Sequence, residues 1–361
     1  MSQLSAPLDL FLALTGRCNL ACKHCNASSS RNCRQELSLK SWLSIVDEAV
    51  ALKIFNFTIS GGEPFLRKGL FTLLDKIENT HIHFSINSNA SLIDEQAAGK
   101  LKQYKKLRHV MVGLDGSSGK THDLLRGKGA FARGLSGIKN LIASLGPGRV
   151  LVFCVVSKFN ILDLENILQL AKELKLTSVQ FEPLLWEGNA RLHRRELELN
   201  HRQSQYVYQK IQQLRKKYGK MVGGNYFSMW QHFKDMGSAD LREFEKSGIS
   251  ACLSACSAAN KLVIRPDGWV TPCDRLWDYK IENIRNKSLK EIWLNAPKLR
   301  EFRARFGRHI DEVAECRDCK YRFICKGGCP AAPYYETGSL IGRDVDSCYR
   351  IFKGEEIYAP A

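Results

Sequence analysis

From Leu8 to about Phe181 the chain alternates short apolar runs with longer amphipathic stretches, and this alternation restricts its fold more than any other feature. A short apolar run between turn residues reads as a strand buried on both faces, and a stretch with apolar residues three and four apart reads as a helix lying on it. The runs predict strands over Asp9–Leu14, Asn56–Ser60, His83–Asn87, His109–Leu114, Val150–Val156 and Ser178–Phe181. The stretches between them predict helices over Ser38–Leu52, Leu66–Ile77, Asp94–Tyr104, Phe131–Leu145 and Leu162–Leu174. Repeated βα units joined by right-handed crossovers require a parallel sheet, open or curved into a barrel. Six strands do not complete an eight-stranded barrel.

Beyond this region the pattern changes. Leu197 to Tyr218 predicts a helix dense in Gln, Arg and Lys with a solvated face, ending at Gly219. After Gly248 cysteines dominate, eight of the thirteen lying between Cys252 and Cys348. A domain boundary is expected between residues 190 and 250, with no internal repeat and no low-complexity tract.

The cysteines need a chemical reason. Met1 to Leu14 lacks the basic and apolar regions of a secretory signal, and no run of 18 apolar residues offers a membrane span. A cytoplasmic location follows as the expectation, and there metal ligation explains the thiols better than disulfides do. The balance of 54 Lys and Arg against 37 Asp and Glu, net +17, favours anionic partners without choosing among them.

Just after the first strand, Cys18, Cys22 and Cys25 form a CxxxCxxC loop. Three thiolates on one tight loop converge on a single centre, and on a cluster of four irons they leave one iron open. Zinc would need a fourth ligand, and the local choice, His24, is adjacent to Cys25 and poorly placed to turn inward with it. The second strand runs into Ser60-Gly61-Gly62-Glu63-Pro64, where glycines let backbone approach a ligand and a carboxylate can meet an ammonium group. Asn89 follows the third strand, and Asp115 and Arg126 follow the fourth, where α/β folds place ligand-binding groups.

This set resembles the signature of the radical S-adenosylmethionine (SAM) superfamily. The resemblance implies a 4Fe–4S cluster on Cys18, Cys22 and Cys25, whose open iron chelates SAM and whose electron yields a 5′-deoxyadenosyl radical. It places the methionine amino group at Gly61, Gly62 and Glu63, and puts Asn89, Asp115 and Arg126 in the region of SAM's ribose and carboxylate. Later cysteines follow the order Cys252-x₃-Cys256, Gly268-x₄-Cys273, Cys316-x₂-Cys319-x₅-Cys325-x₃-Cys329 and Cys348, which resembles the SPASM extension of that superfamily. By that likeness two auxiliary 4Fe–4S clusters use Cys252, Cys256, Cys273 and Cys329, and Cys316, Cys319, Cys325 and Cys348. Interleaved ligands would let both metals stabilise a small domain with little apolar core. Cys154 reads as a buried small hydrophobe, and Cys33 has no assignment.

The implied fold is a partial (β/α)6 TIM-like barrel over residues 1–200, a helical linker over 201–250, a SPASM domain over 251–350 and a tail over 351–361. The implied activity is hydrogen abstraction that oxidises or crosslinks a ribosomally made peptide or protein, with fully ligated auxiliary clusters as electron conduits. Asp274, directly after Cys273, is the expected base, because sulfatase-maturating members carry a catalytic Asp there. Sulfatase maturation itself is disfavoured, since that branch usually has aromatic residues where this chain has His24 and Asn26. Expected partners are a low-potential donor such as ferredoxin or flavodoxin and a separate peptide-carrier protein. Oxidation, epimerisation or decarboxylation of a small metabolite such as a sugar, aminocyclitol or tetrapyrrole is the alternative. An iron–sulfur electron carrier or nucleic-acid binder is the alternative of another class, but the basic runs Arg191–Arg195 and Arg215–Lys217 lack interleaved aromatics for stacking bases.

Overall fold

A computed structural model describes residues 4–29, 35–226, 243, 252–253 and 256–354 of the chain, so Cys33 lies outside it. Six parallel strands, β1 (Asp9–Ala13), β2 (Asn56–Ser60), β3 (His83–Ser88), β4 (Leu107–Gly113), β5 (Val150–Val155) and β6 (Val179–Glu182), lie side by side in sequence order. The helices between them are α1 (Leu39–Ala51), α2 (Leu70–Glu78), α3 (Glu95–Leu101), α4 (Gly119–Arg126), α5 (Ala130–Leu145) and α6 (Leu164–Glu173). This is the arrangement of a partial (β/α)6 barrel. Its edge strands extend it: β7 (Val222–Gly223) runs parallel to β6, while β8 (Lys261–Ile264) runs parallel to β1. Antiparallel β9 (Trp269–Thr271) and β10 (Glu282–Asn283) continue beyond β8, so ten strands share one open sheet.

Each helix lies down because its apolar stripe has a place to go. Helix α1 starts at Ser38, whose side chain accepts from the Ser41 amide, and buries Trp42, Ile45, Val46 and Ala49. Each large side chain there contributes about 1.5–3 kcal/mol. Helix α2 begins later than its periodicity suggests, because Pro64–Leu66 forms a 3₁₀ turn and Gly69, at φ 83°, restarts the chain against Leu39. Helix α4 has no apolar run to announce it and is anchored by His122 and Leu125.

Only one face of each central strand is fully buried. The other, carrying Thr58, Ser85, Asn87, Met111, Phe153 and Glu182, is half-exposed and more polar than the two-sided burial read from the apolar runs. It lines the inside of the partial barrel, where the Asn87 Oδ1 atom is buried without a hydrogen-bond partner among the described residues.

Past β6 come α7 (Gly188–Leu192), α8 (Arg194–Leu197) and α9 (His201–Tyr218). Asn200 and Gln203 close a capping box on α9. The helix is not solvated all round: Val207, Tyr208, Ile211 and Leu214 are buried, while Lys210 and Lys217 pair with Glu165 of α6. The C-terminal region is also better packed than expected, for Leu289, Ile292, Trp293 and Phe302 join the main core and Trp293 donates to the Leu4 carbonyl. The loops carrying the later cysteines rest on smaller clusters around Tyr321 and Tyr349 and around Leu253, Ile310 and Val313.

Candidate active site

The first cysteine loop is held from below by a carboxylate. Glu36 accepts from the Thr15 hydroxyl at 2.6 Å and the Gly16 amide at 3.0 Å, and pairs with Arg67 at 2.8 Å. The Gly61-Gly62-Glu63 turn closes on the same loop: the Gly62 and Glu63 amides donate to the Thr15 and Arg17 carbonyls at 2.7 and 2.8 Å. A Cβ on Gly61 would sit 2.4 Å from the Thr15 oxygen, and one on Gly62 2.1 Å from the Arg17 oxygen, so close approach excludes any side chain at either position.

Glu63 turns inward. It is fully buried and accepts from the Ser88 hydroxyl and the Asn89 amide, each at 2.8 Å, joining the ends of β2 and β3. Burial pushes its carboxyl up to about 7 despite those donors. The Asn89 side chain reaches the cysteine loop, donating to Asn19 at 3.0 Å and to the Cys18 sulfur at 3.8 Å.

Asp115 ends the β4 segment, fully buried. It accepts from Arg126 Nε at 2.5 Å and from the Val155 amide at 2.8 Å. Burial pushes its carboxyl up, but the Arg126 guanidinium more than offsets this and holds it at about 2. The Arg126 Nη atoms make no hydrogen bond to described residues, and a Cβ on Gly113 would lie 2.1 Å from Nη2, so the guanidinium lies flat on a glycine. His24 is buried beside this pair, its Nε2 3.5 Å from Asp115 and its Nδ1 without a hydrogen-bond partner among the described residues; burial holds it neutral, down to about 4.

Reading the sequence alone missed the turn after β6. The Asn189 amide and side chain donate to the Cys25 and Cys22 carbonyls at 2.8 and 3.1 Å. Gly188, at φ 54°, leaves room for the Asn26 oxygen, which a Cβ would approach to 2.4 Å. The only local signal is a glycine before a short helix, in a region that looks like the start of a linker. Glu187, just before it, is 2% exposed, its Oε2 has no hydrogen-bond partner among the described residues, and burial pushes it up to about 9 against the opposing charge of Arg275.

The later cysteines gather as two sets. Cys316, Cys319, Cys325 and Cys348 line one cavity. Cys273 and Cys256 are electrostatic neighbours of Cys329, whose amide donates to Asp344 at 2.8 Å. Cys252 forms a β-bridge with His309, and its thiol donates to the Gly307 carbonyl. Among the described residues no three His, Cys, Asp or Glu side chains close on a single metal ion. Tetrahedral zinc, at about 2.3 Å from each sulfur, would draw thiolates to within about 4 Å of one another. Sets that converge without closing that far suit a multi-iron core. Burial pushes the Cys22, Cys316 and Cys325 thiols up to about 12, so these three become thiolates only against a strongly positive centre.

Asp274 meets both halves of the molecule. Its carbonyl accepts from the Asn26 side chain at 3.3 Å, and its carboxylate pairs with Lys261 at 2.7 Å; burial raises it but Lys261 holds it below the usual range. Nearby, a cleft of about 720 Å³ runs between the ends of β5 and β6 and the segment from Val345 to Gly354, with Leu184, Trp186, Tyr226, Arg275 and Phe352 in its walls. No described helix is long and apolar enough to cross a membrane.

Comparison with known proteins agrees with this geometry. The radical SAM superfamily profile matches residues 12–171, and the profile of SPASM, an iron–sulfur cluster-binding domain, matches residues 252–320. The mycofactocin maturase MftC of Mycobacterium ulcerans is 28% identical, over 94% of this chain and 88% of its own. The AdoMet-dependent heme synthase of Methanosarcina barkeri is 26% identical, over 97% of this chain and 99% of its own. The crystal structure of Streptococcus suis SuiB bound to precursor peptide SuiA superposes with a TM-score of 0.72 at 20% identity, covering 95% of this chain and 76% of that one. The first profile spans Cys18, Cys22 and Cys25 and the second spans Cys252 through Cys319, and the chain belongs to the radical SAM superfamily as an enzyme with a C-terminal SPASM domain.

Proposed function

We propose that this enzyme oxidises or crosslinks a ribosomally made peptide or protein. The observation that carries the reading is the cleft: it opens at the barrel ends, passes Trp186 and Arg275, and reaches the loop of Cys348. A cleft of that volume accepts several residues of an extended chain and sets them beside the Cys348 loop. A relative named PqqA peptide cyclase, 25% identical over 94% of this chain, and SuiB with its bound precursor peptide support the same substrate class.

Cys18, Cys22 and Cys25 would hold the 4Fe–4S cluster, which would supply the electron for reductive cleavage of SAM and with it the means of hydrogen abstraction from the substrate. The chain's own task is placement. Gly61 and Gly62 bring backbone against the cysteine loop, Glu63 locks that turn to β3, and Asn89 sits beside Cys18. Asp115 fixes Arg126 by Nε and leaves its Nη donors for a carboxylate, the role assigned here to SAM's methionine end. Asp274 is assigned the substrate's proton, with Lys261 holding it ionised and able to accept. The Cys256, Cys273 and Cys329 site, with Cys252, and the Cys316, Cys319, Cys325 and Cys348 site are assigned the two auxiliary clusters that carry off the substrate's electron.

In this scheme residues 1–200 generate the radical, 201–250 link, 251–350 hold the auxiliary clusters and 351–361 form a tail. A cytoplasmic ferredoxin or flavodoxin supplies the first electron, and a separate carrier protein presents the peptide. The test is anaerobic turnover of the iron-loaded enzyme with peptides encoded beside its gene, read by mass spectrometry together with 5′-deoxyadenosine. The heme synthase relative favours a second reading, a tetrapyrrole substrate. A mass change in a porphyrin and none in any such peptide would select it.

A further inference from the structure

The two most exposed large apolar side chains among the described residues are Leu162 and Leu192, at 80% and 81%, and Leu124 is 49% exposed. All three sit on segments that meet at one outer corner of the barrel. Their neighbours Leu125, Ala190 and Leu197 pack in one small buried cluster, with Phe159 against it. Asp163, next to Leu162, accepts from the Ser117 amide at 2.7 Å and the Thr121 hydroxyl at 2.6 Å, which pins that turn to α4. The Lys158 amide donates to the Leu197 carbonyl at 3.1 Å, which ties the same stretch to α8. Single exposed leucines are ordinary, but several gathered on one corner among polar residues mark a docking face.

The same corner is basic. Lys120, one helical turn before Leu124 on α4, together with Lys158, Arg191 and Arg195, is exposed, and none of the four has a carboxylate partner among the described residues. The carboxylates of these segments are already engaged. Asp123 accepts from the Gly129 and Phe131 amides, Glu196 pairs with Lys23 and His193, and Glu198 pairs with Arg194. The corner also adjoins the first cysteine loop. Lys23, between Cys22 and Cys25, donates its amide to the Leu125 carbonyl at 2.9 Å and sets its ammonium 5.2 Å from the centre of the Phe159 ring, while Ala21 of that loop is exposed. Arg194 and Glu198 line the substrate cleft, whereas Arg191, Leu192 and Arg195 are not among its described walls, so this face and the cleft are distinct.

We propose that this corner is the docking face for the enzyme's electron donor, an acidic low-potential redox protein whose carboxylates meet Lys120, Lys158, Arg191 and Arg195 and whose apolar spot covers Leu162 and Leu192. The inference rests on the reading of Cys18, Cys22 and Cys25 as the 4Fe–4S site that receives the first electron. Electron tunnelling falls steeply with distance, so a donor has to seat where little protein separates it from that site, and the loop carrying these cysteines reaches the surface here. One electron passes: the donor is oxidised by one, the cluster core goes from 2+ to 1+, and no bond forms or breaks. Opposite charges steer the encounter and fix its orientation, and the leucines supply the burial that holds it. A protein presenting the peptide belongs along the cleft instead.

The test uses an acidic ferredoxin and an acidic flavodoxin as probes of the full-length, iron-loaded enzyme. Affinity is read by biolayer interferometry at low and moderate salt, and 5′-deoxyadenosine release is read with each reduced probe and with dithionite, which needs no docking. Wild type should bind at least one probe, more weakly as salt rises. Lys158→Glu, Arg191→Glu and Arg195→Glu combined should weaken that binding about tenfold or more and flatten its salt dependence. Leu162→Ser with Leu192→Ser should weaken it while keeping the salt dependence. Lys100→Glu, Lys102→Glu and Lys105→Glu, the same charge change at the opposite end of the strands, should bind as wild type does. All should release 5′-deoxyadenosine equally with dithionite. Neither probe binding wild type, unchanged binding in the first variant, or equal weakening in the first and third would overturn the assignment. Unchanged probe binding with lost peptide turnover under dithionite would give the face to the protein that presents the peptide, and overturn it as well. No 5′-deoxyadenosine from wild type under dithionite, whatever the probes bind, would defeat the reading of the first site itself.

Discussion

Replacing Arg126 with methionine removes the charge that Asp115 needs and keeps most of the side-chain volume. Asp115 is fully buried, and with Arg126 gone it retains only the Val155 amide at 2.8 Å and a neutral His24 at 3.5 Å. Its carboxyl sits at about 2 rather than 3.8, although burial alone pushes it the other way, so the folded state favours the charged form by about 2 kcal/mol. Removing one partner of a buried pair costs more, about 3–5 kcal/mol, because the remaining carboxylate stays desolvated. At roughly 1–2 °C per kcal/mol for a chain of 361 residues, Arg126→Met should melt about 5 °C below wild type in thermal-shift measurements on apoprotein. The pH dependence has a fixed sign. A carboxyl depressed in the folded state contributes stability above its unfolded value that is lost as pH falls from about 3.8 towards 2, and Arg126→Met should flatten that loss. Asp115→Asn combined with Arg126→Met should recover part of the melting temperature, since the stranded charge is then gone. A single variant within about 2 °C of wild type, or a double variant no better than the single, would refute the reasoning.

Two other substitutions probe the site. Gly188→Ala, forced to φ 54° with its Cβ 2.4 Å from the Asn26 oxygen, should push the first cysteine loop out of place and lower iron at that cluster several-fold, counted by iron assay against an unchanged auxiliary content. Asp274→Asn should still release 5′-deoxyadenosine while forming little product, because proton removal follows hydrogen abstraction; product within about twofold of wild type would leave Asp274 a structural residue.

The barrel half was legible because each parallel strand is a local apolar run and each helix carries its own stripe. Helix α4 was not, since Gly119 to Asp123 is polar and the burial of His122 depends on Asp115, whose amide donates to its Nδ1. The sheet's continuation through β8 was also hidden. Lys261–Ile264 pairs with β1 across some 250 residues, and β9 and β10 are three and two residues long, below what periodicity detects. In the site, cysteine spacing and the glycine turn were readable as motifs because each is contiguous. The inward turn of Glu63, the bonds from Asn189 to the cysteine loop and the meeting of Glu187, Arg275 and Asp346 were not, because each joins segments that only the fold brings together.

The most direct test of the account is an iron count paired with SAM cleavage. Anaerobically reconstituted wild type should bind about twelve irons, four for each of three clusters, and release 5′-deoxyadenosine under a strong reductant. Cys18→Ala, Cys22→Ala and Cys25→Ala combined should bind about eight and release none. Wild type saturating at about four irons, or 5′-deoxyadenosine persisting in the triple variant, would contradict it.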